Sequence, residues 1–335
     1  VGVLLLFAFL FAHLFHLFLT IFGAILVGVC LQGLTARVSK HTRLPWRPAL
    51  SVALLGLLGL LAGFAVFAGP QIVDQTTALV DRIPADLQRL DTTVSQYSWG
   101  HALLKRVPSL QQVVPREENF VGRISGIFST ALGTVTNIIL VFVIGAYLAV
   151  SPNIYTKGLL YLVPPDHRRS ARDVIKSLAN ALHWWLVGRF TSMAIVGALT
   201  MTSLWLIGMP LPLALGFIAG LMSFIPYVGP VVAAVPAILI GLSQRPLMGL
   251  YVLLIYGSIE LLEGYIITPL IQKGAVSLPP ALLLTAQVFM GVLFGSVGLL
   301  LATPLAVALI VLIQTIYVRK VLDEDVEVLG EHRGW

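Results

Sequence analysis

The stretch Phe224-Ile225-Pro226-Tyr227-Val228-Gly229-Pro230 lies between apolar runs on both sides. Two prolines four residues apart remove two backbone donors and interrupt a helical ladder. In lipid, irregular backbone persists only where protein or a water-filled cavity satisfies the freed groups. Helices broken at membrane depth are where transporters place substrate and ion sites. The stretch therefore predicts two half-helices meeting at a polar tip. An ordinary turn between two spans at the membrane surface is the competing reading.

Composition agrees with a membrane setting. Hydrophobic residues make up 58% and charged residues 11% of the 335-residue chain, and the mean hydropathy is +0.94. A soluble domain of this size has too little interior for so much apolar surface. The fold class expected is an all-α polytopic integral membrane protein, with the lipid bilayer as a partner. The net charge of +6 contains no basic patch interleaved with aromatics, so nucleic acid is not an expected partner. Cys30 is the single cysteine, which excludes an intrachain disulfide and a cysteine-rich metal site. No cofactor is expected beyond a coupling ion, H+ or Na+. Val1 to Leu34 carries no charge and far exceeds the apolar core of a secretory leader, so it is read as membrane-embedded.

Uncharged apolar runs of roughly 17–25 residues mark the spans. Residues 1–34 read either as two short helices turning near His13 to His16 or as one long tilted helix. Further spans fall at 49–69, 124–150, 190–208 and 247–268, and broken hairpins at 211–242 and 278–317. Counting hairpin arms gives about seven to eight transmembrane helices by this length rule. The expected organisation is transmembrane helices in 1–69, an extracytoplasmic amphipathic segment in 70–123, a span and basic cytoplasmic loop in 124–189, a transport core in 190–317 and a cytoplasmic tail in 318–335. Its orientation follows from Arg37, Lys40, Arg43 and Arg47 in one loop and the basic excess of 151–189 in another, both placed inside. Within 70–123, Leu79, Ile83, Leu87, Leu90, Val94 and Tyr97 recur at helical spacing and form one apolar stripe. That stripe suits packing on the bundle or against another copy of the chain.

Two groups carry the chemistry besides the Pro226–Pro230 tip. Glu260 and Glu263 are the only acids within an expected span, three residues apart and so on one helix face. An ionised side chain at mid-bilayer costs about 2.5–3.5 kcal/mol on insertion scales, which points to an ion relay or gate. An interfacial position near Lys273 is the plainer reading. Gly291, Gly295, Ser296 and Gly298 form a second interruption, and the Gly291–Gly295 spacing alternatively suits close helix packing. The pathway residues expected are thus Pro226, Tyr227, Gly229, Pro230, Glu260, Glu263, Gly291, Gly295, Ser296 and Gly298. No phosphate loop, zinc-protease pair or dinucleotide motif occurs, so an enzyme is not expected. Trp184 and Trp185, ahead of the span at 190–208, read as an interfacial aromatic belt.

The Phe-Ile-Pro-Tyr-Val-Gly-Pro run with Pro236 resembles the signature of the autoinducer-2 exporter family of bacterial membrane proteins. Leu262-Glu263-Gly264 with Pro269, Leu278-Pro279, Phe294-Gly295-Ser296-Val297-Gly298 ahead of Pro304-Leu305, Gly69-Pro70-Gln71 and Leu162-Val163-Pro164 extend the likeness along nearly the whole chain. The resemblance implies a secondary transporter of the bacterial cytoplasmic membrane that exports small polar molecules, autoinducer-2 among them. Some members are linked instead to sodium/proton exchange. It also implies discontinuous helices and homo-oligomers, with a pentamer the expected form. Members commonly have an acid just before the motif's Phe, where this chain has Ser223. A non-transporting scaffold built on the external stripe is the third reading.

Overall fold

The computed structural model describes residues 2–75, 77–78, 137–271 and 279–319. The apolar stripe expected at 79–97, Lys273 and most of the tail lie outside the described residues. The described elements are α1 (Gly2–Thr42), α2 (Trp46–Phe67), α3 (Asn137–Val150), α4 (Pro152–Tyr161), a 3-10 turn (Pro165–His167), α5 (Arg168–Leu206), α6 (Pro212–Met222), α7 (Val228–Gln244), α8 (Pro246–Leu262), a π-helical turn (Glu263–Ile267), α9 (Thr268–Ile271) and α10 (Pro280–Leu312), which ends in a π-helical segment (Ile313–Val318). No strand occurs among the described residues.

Among the described residues, five helices are long and apolar enough to cross a membrane, or six if α3 and α4, bent by 86°, count as one span. Helix α2 presents Leu55, Leu58, Leu60, Leu61, Val66 and Phe67 outward. Apolar side chains exposed around a helix in this way need hydrocarbon about them. The protein is a polytopic, all-helical membrane protein. Of residues 1–34, for which the sequence leaves one or two helices open, 2–34 lie in the single helix α1. Residues 168–189, read as part of a basic loop, form the first half of α5, so the helix starts 22 residues before the expected span at 190–208. Hydropathy detects contact with lipid, whereas a helix that leaves the bilayer keeps its backbone ladder on polar residues. Trp184 and Trp185 consequently sit mid-helix, with Trp185 buried and Arg37 5.9 Å from the Trp184 ring.

The described residues divide into two units. In the first (Val1–Ala62, Asn137–Thr191, Thr268–Trp335), α1 and α3 cross where glycines let their backbones meet. A Cβ on Gly145 would lie 2.7 Å from Val27 Cγ1 and 2.9 Å from the Ala24 carbonyl. The sharp bend at Ser151 leaves carbonyls of α3 without helical partners. Two side chains meet that need: Gln32 Nε2 donates to Leu148 O at 3.3 Å and Trp46 Nε1 to Ala149 O at 3.1 Å. Replacing Gly145 by Ala is expected to lower stability by about 1–3 kcal/mol through overpacking. A thermal melt of the purified variant in detergent measures it, with Gly158→Ala as control, since nothing lies within 4 Å of a Cβ there.

Helix α10 is not a straight rod. Gly295 has φ 63° and ψ −146°, a conformation close to one that only glycine adopts readily. Gln287 Nε2 lies 3.5 Å from Thr303 Oγ1, although sixteen residues of straight helix would separate them by about 24 Å. The segment is therefore an antiparallel hairpin turned at Gly295. A Cβ on Gly298 would fall 2.2 Å from Met290 O, whereas one on Gly291 would make only ordinary contact with Leu299 at 3.7 Å. Gly295 and Gly298, rather than Gly291 and Gly295, are the pair the turn requires. Ser296 is exposed.

The second unit (Gly63–Thr136, Ser192–Ile267) holds the other broken hairpin. Helix α5 enters it and packs antiparallel on α6 through Gly197, Gly216 and Gly220; a Cβ on Gly216 would come 2.5 Å from Met201 Cβ. Gln75 Oε1 accepts the Ala214 N–H at 3.0 Å, satisfying one orphan donor at the start of α6. Helices α7 and α8 pack antiparallel beyond a turn at Arg245, their backbones meeting at Gly241 and Gly249. Leu204, Leu215, Ala219, Ala233, Ala237, Ile240, Val252 and Tyr256 form the shared core.

Candidate functional site

The hairpin of the second unit breaks between Ser223 and Tyr227, three residues earlier than the Pro226–Pro230 tip read from the prolines. Helix α6 is about 16 Å long and α7 about 25 Å, both short of a hydrocarbon core of about 30 Å. Gly229 and Pro230 belong to the first turn of α7 rather than to the irregular tip. Proline is tolerated there because its missing N–H would have had no helical acceptor. Gly229 is required by contact: a Cβ would sit 1.8 Å from Met222 O.

The tip itself is tightly wound. Ile225 N–H donates to Met222 O at 3.0 Å and Gly229 N–H to Ile225 O at 3.0 Å. Val228 N–H donates to Pro226 O at 2.7 Å across Tyr227, whose φ of 63° and ψ of −52° are those of a γ-turn in its rare, strained form. Tyr227 is 39% exposed, so its ring stands outside the core while its backbone carries the strain. Pro226 is half-buried beside it.

Glu263 comes to this tip from the far end of α8. Its side chain is buried, as are Ser192 of α5 and Ser223 of the tip. Ser192 Oγ donates to Glu263 Oε1 at 2.6 Å. Ser223 Oγ lies 3.4 Å from both carboxylate oxygens. The α-helix changes to a π turn at Glu263, a local irregularity common at functional sites, and this turn aims the side chain inward. Glu260, one turn earlier, is only half-buried. The two acids so close in sequence are thus not equivalent, and Glu263 is the one built into the packing. The site is a carboxylate with two hydroxyls, three oxygen-bearing side chains from three elements, at the base of a broken hairpin. Oxygen-bearing side chains of this kind have the chemistry to take a proton or a small hard cation.

Gly291, Gly295, Ser296 and Gly298 lie in the hairpin of the first unit, described above with it. Ser192 had no sequence signal, because a serine within an apolar helix is ordinary and Glu263 lies 71 residues away. A groove of about 360 Å³ also occurs in the second unit, lined by Phe64, Met193, Met201, Phe217, Leu221 and other apolar residues. It offers no side chain that recognises a polar solute, and its chemistry suits acyl chains.

A family profile described as "AI-2E family transporter" matches residues 1–318. Two Bacillus subtilis (strain 168) proteins bearing the name "Putative transport protein" are similar to the chain. YrrI is 27% identical, over 72% of this chain and 70% of its own length. YueF is 26% identical, over 76% and 73%. MT0215 of Mycobacterium tuberculosis (strain CDC 1551 / Oshkosh), with the same name, is 28% identical over 74% of this chain and 70% of its own length.

Proposed function

Since the chain belongs to the AI-2E family of transporters, we propose that it exports a small polar solute, of the autoinducer-2 kind, by secondary transport across the bacterial cytoplasmic membrane. The observation that carries this reading is Glu263, a buried carboxylate held by Ser192 and Ser223 at the base of the Ser223–Tyr227 break. An acidic side chain buried in that setting is retained for ion or solute handling rather than for stability. In this reading Pro226 and Tyr227 face the pathway, Gly229 and Pro230 set the hairpin that carries them, and Glu260 stands at its margin. The Gly291–Gly298 hairpin supplies a second broken element. Transport runs in a homo-oligomer, and no catalysis is assigned.

A second reading, sodium/proton antiport, draws on the same site. Three oxygen-bearing side chains suit Na+, and the carboxylate exchanges it for a proton. One experiment separates the two. The full chain is reconstituted in liposomes, and efflux of a panel of small polar solutes is followed with and without a proton gradient. The export reading expects gradient-dependent efflux of at least one solute. Pro226→Ala is expected to cut it by roughly ten-fold or more, as small misplacements at a site do. Sodium–proton exchange with no solute movement favours antiport instead.

A further inference from the structure

Two buried hydroxyls in the second unit have no hydrogen-bond partner among the described residues: Thr200 Oγ1 on α5 and Tyr256 Oη on α8. Thr200 is 1% and Tyr256 8% exposed. Thr200 is the more informative of the two. Thr35, Thr191 and Thr315 each satisfy their hydroxyl on the carbonyl four residues back, at 2.7 Å. Thr200, as buried as Thr35, turns its hydroxyl away from that bond. Buried polar groups left unpaired by protein are the places where ordered water resides.

The register of the helices sets both hydroxyls at one depth. Gln244 Nε2 lies 3.7 Å from Met209 Sδ, so the α5–α6 connection and the α7–α8 turn share one end of the unit. Ser192 meets Glu263 toward the other end. Measured from that contact toward the turns, Thr200 lies about 12 Å along α5 and Tyr256 about 10.5 Å along α8. Ser192, Val196, Thr200 and Leu204 are the buried stripe of α5, and Val252, Tyr256, Ile259 and Glu263 that of α8. Each stripe thus reads polar, apolar, polar from the Ser192–Glu263 contact toward the turns. Val196 and Ile259 occupy the apolar level between.

We propose that Thr200 and Tyr256 form a second, water-holding station on a proton path that begins at Glu263, and that Val196 and Ile259 are the apolar gate between the two. The assignment rests on Glu263 being the coupling group. A proton released from the carboxyl passes to water at the gate when that level wets, and from there to the water bound by the two hydroxyls. No bond other than O–H is made or broken. The apolar level keeps the stations apart at rest, which prevents an idle leak.

The test uses the purified full chain in liposomes with a pH-sensitive dye inside, and reads proton entry under an imposed gradient. Tyr256→Phe and Thr200→Val are each expected to slow entry by about five-fold or more, the scale of one lost hydrogen-bonding partner. Thr200→Ser keeps the hydroxyl and is expected to retain the native rate, which a merely structural role for the residue does not predict. Val196→Asn is expected to raise the resting leak. Native rates in Tyr256→Phe and Thr200→Val, with entry abolished in Glu263→Gln, overturn the second station and leave the site reading intact. Native rates in all three overturn both.

Discussion

Glu263→Gln is expected to abolish coupled transport while leaving the protein inserted and folded. The substitution keeps the shape of the side chain and a hydrogen-bonding oxygen for Ser192, which now lies 2.6 Å from Oε1. It removes the only feature that a neutral amide lacks, the ability to take up and give back a proton or to neutralise a cation. Loss of a group of this kind at a site lowers rates by about a hundred-fold or more when it acts in general acid–base exchange. Stability is expected to move the other way or hardly at all. Replacing a buried charge by a well-fitted neutral group is often neutral or stabilising. The signature is therefore a flat or raised melting temperature in detergent together with lost flux in liposomes. Glu263→Asp, which draws the carboxylate back by about one carbon–carbon bond length, is expected to fall between the two. Native flux in Glu263→Gln contradicts the site; a large drop in melting temperature makes Glu263 a structural residue.

Gly229→Val is expected to have the largest effect on folding. The Cβ of any side chain at this position would lie 1.8 Å from Met222 O and 2.5 Å from its carbonyl carbon, both backbone atoms that have no rotamer to yield. The two arms of the hairpin must separate, which opens the Ile225–Met222 and Gly229–Ile225 hydrogen bonds of the tip. A destabilisation above about 4 kcal/mol belongs to this class of backbone overlap. Ser223, held between the arms, would lose its place against Glu263, so flux is expected to vanish with stability. Gly257→Ala supplies the control, because nothing lies within 4 Å of a Cβ there. Removing that helical glycine is expected to be neutral or to stabilise by up to about 1 kcal/mol. Equal melting temperatures for the two variants would contradict the packing of the hairpin.

Much of the architecture was legible because hydrophobic length and helix breakers report on lipid and on backbone donors directly. The two hairpins follow from Pro226, Pro230 and the Gly291–Gly298 cluster in this way. The displacement of the first tip by three residues shows what the rule leaves out: proline disrupts the body of a helix but begins one comfortably, so Pro230 marks a start rather than a break. In the second hairpin the glycine spacing suggested Gly291 and Gly295, while the tight contact is made by Gly298 against Met290 O, a distance only the folded turn creates. Residues 168–189 hid their helix for a different reason, since charged residues on a helix and on a loop look alike in hydropathy. The candidate site was half readable. An acid in an apolar span is conspicuous, which is how the sequence singles out Glu260 and Glu263. Which of two acids is buried depends on the π turn, and which hydroxyls meet it depends on contacts across 40 and 71 residues of chain. Ser223 occupies the position where the resemblance expects an acid, and the fold brings the Glu263 carboxylate to that position from α8 instead.

The γ-turn at Tyr227 concentrates backbone strain in a single residue at the tip of the hairpin. A side chain in so sparsely populated a backbone state is held at a cost on the order of 1–3 kcal/mol by its surroundings. Relaxing that one residue would release the hydrogen bond from Val228 N–H to Pro226 O. If a small polar solute is carried here, as proposed above, an acceptor that it offered to Val228 N–H would replace that one hydrogen bond. Under the export reading proposed above, occupancy of the tip and relaxation of its backbone would then be one event.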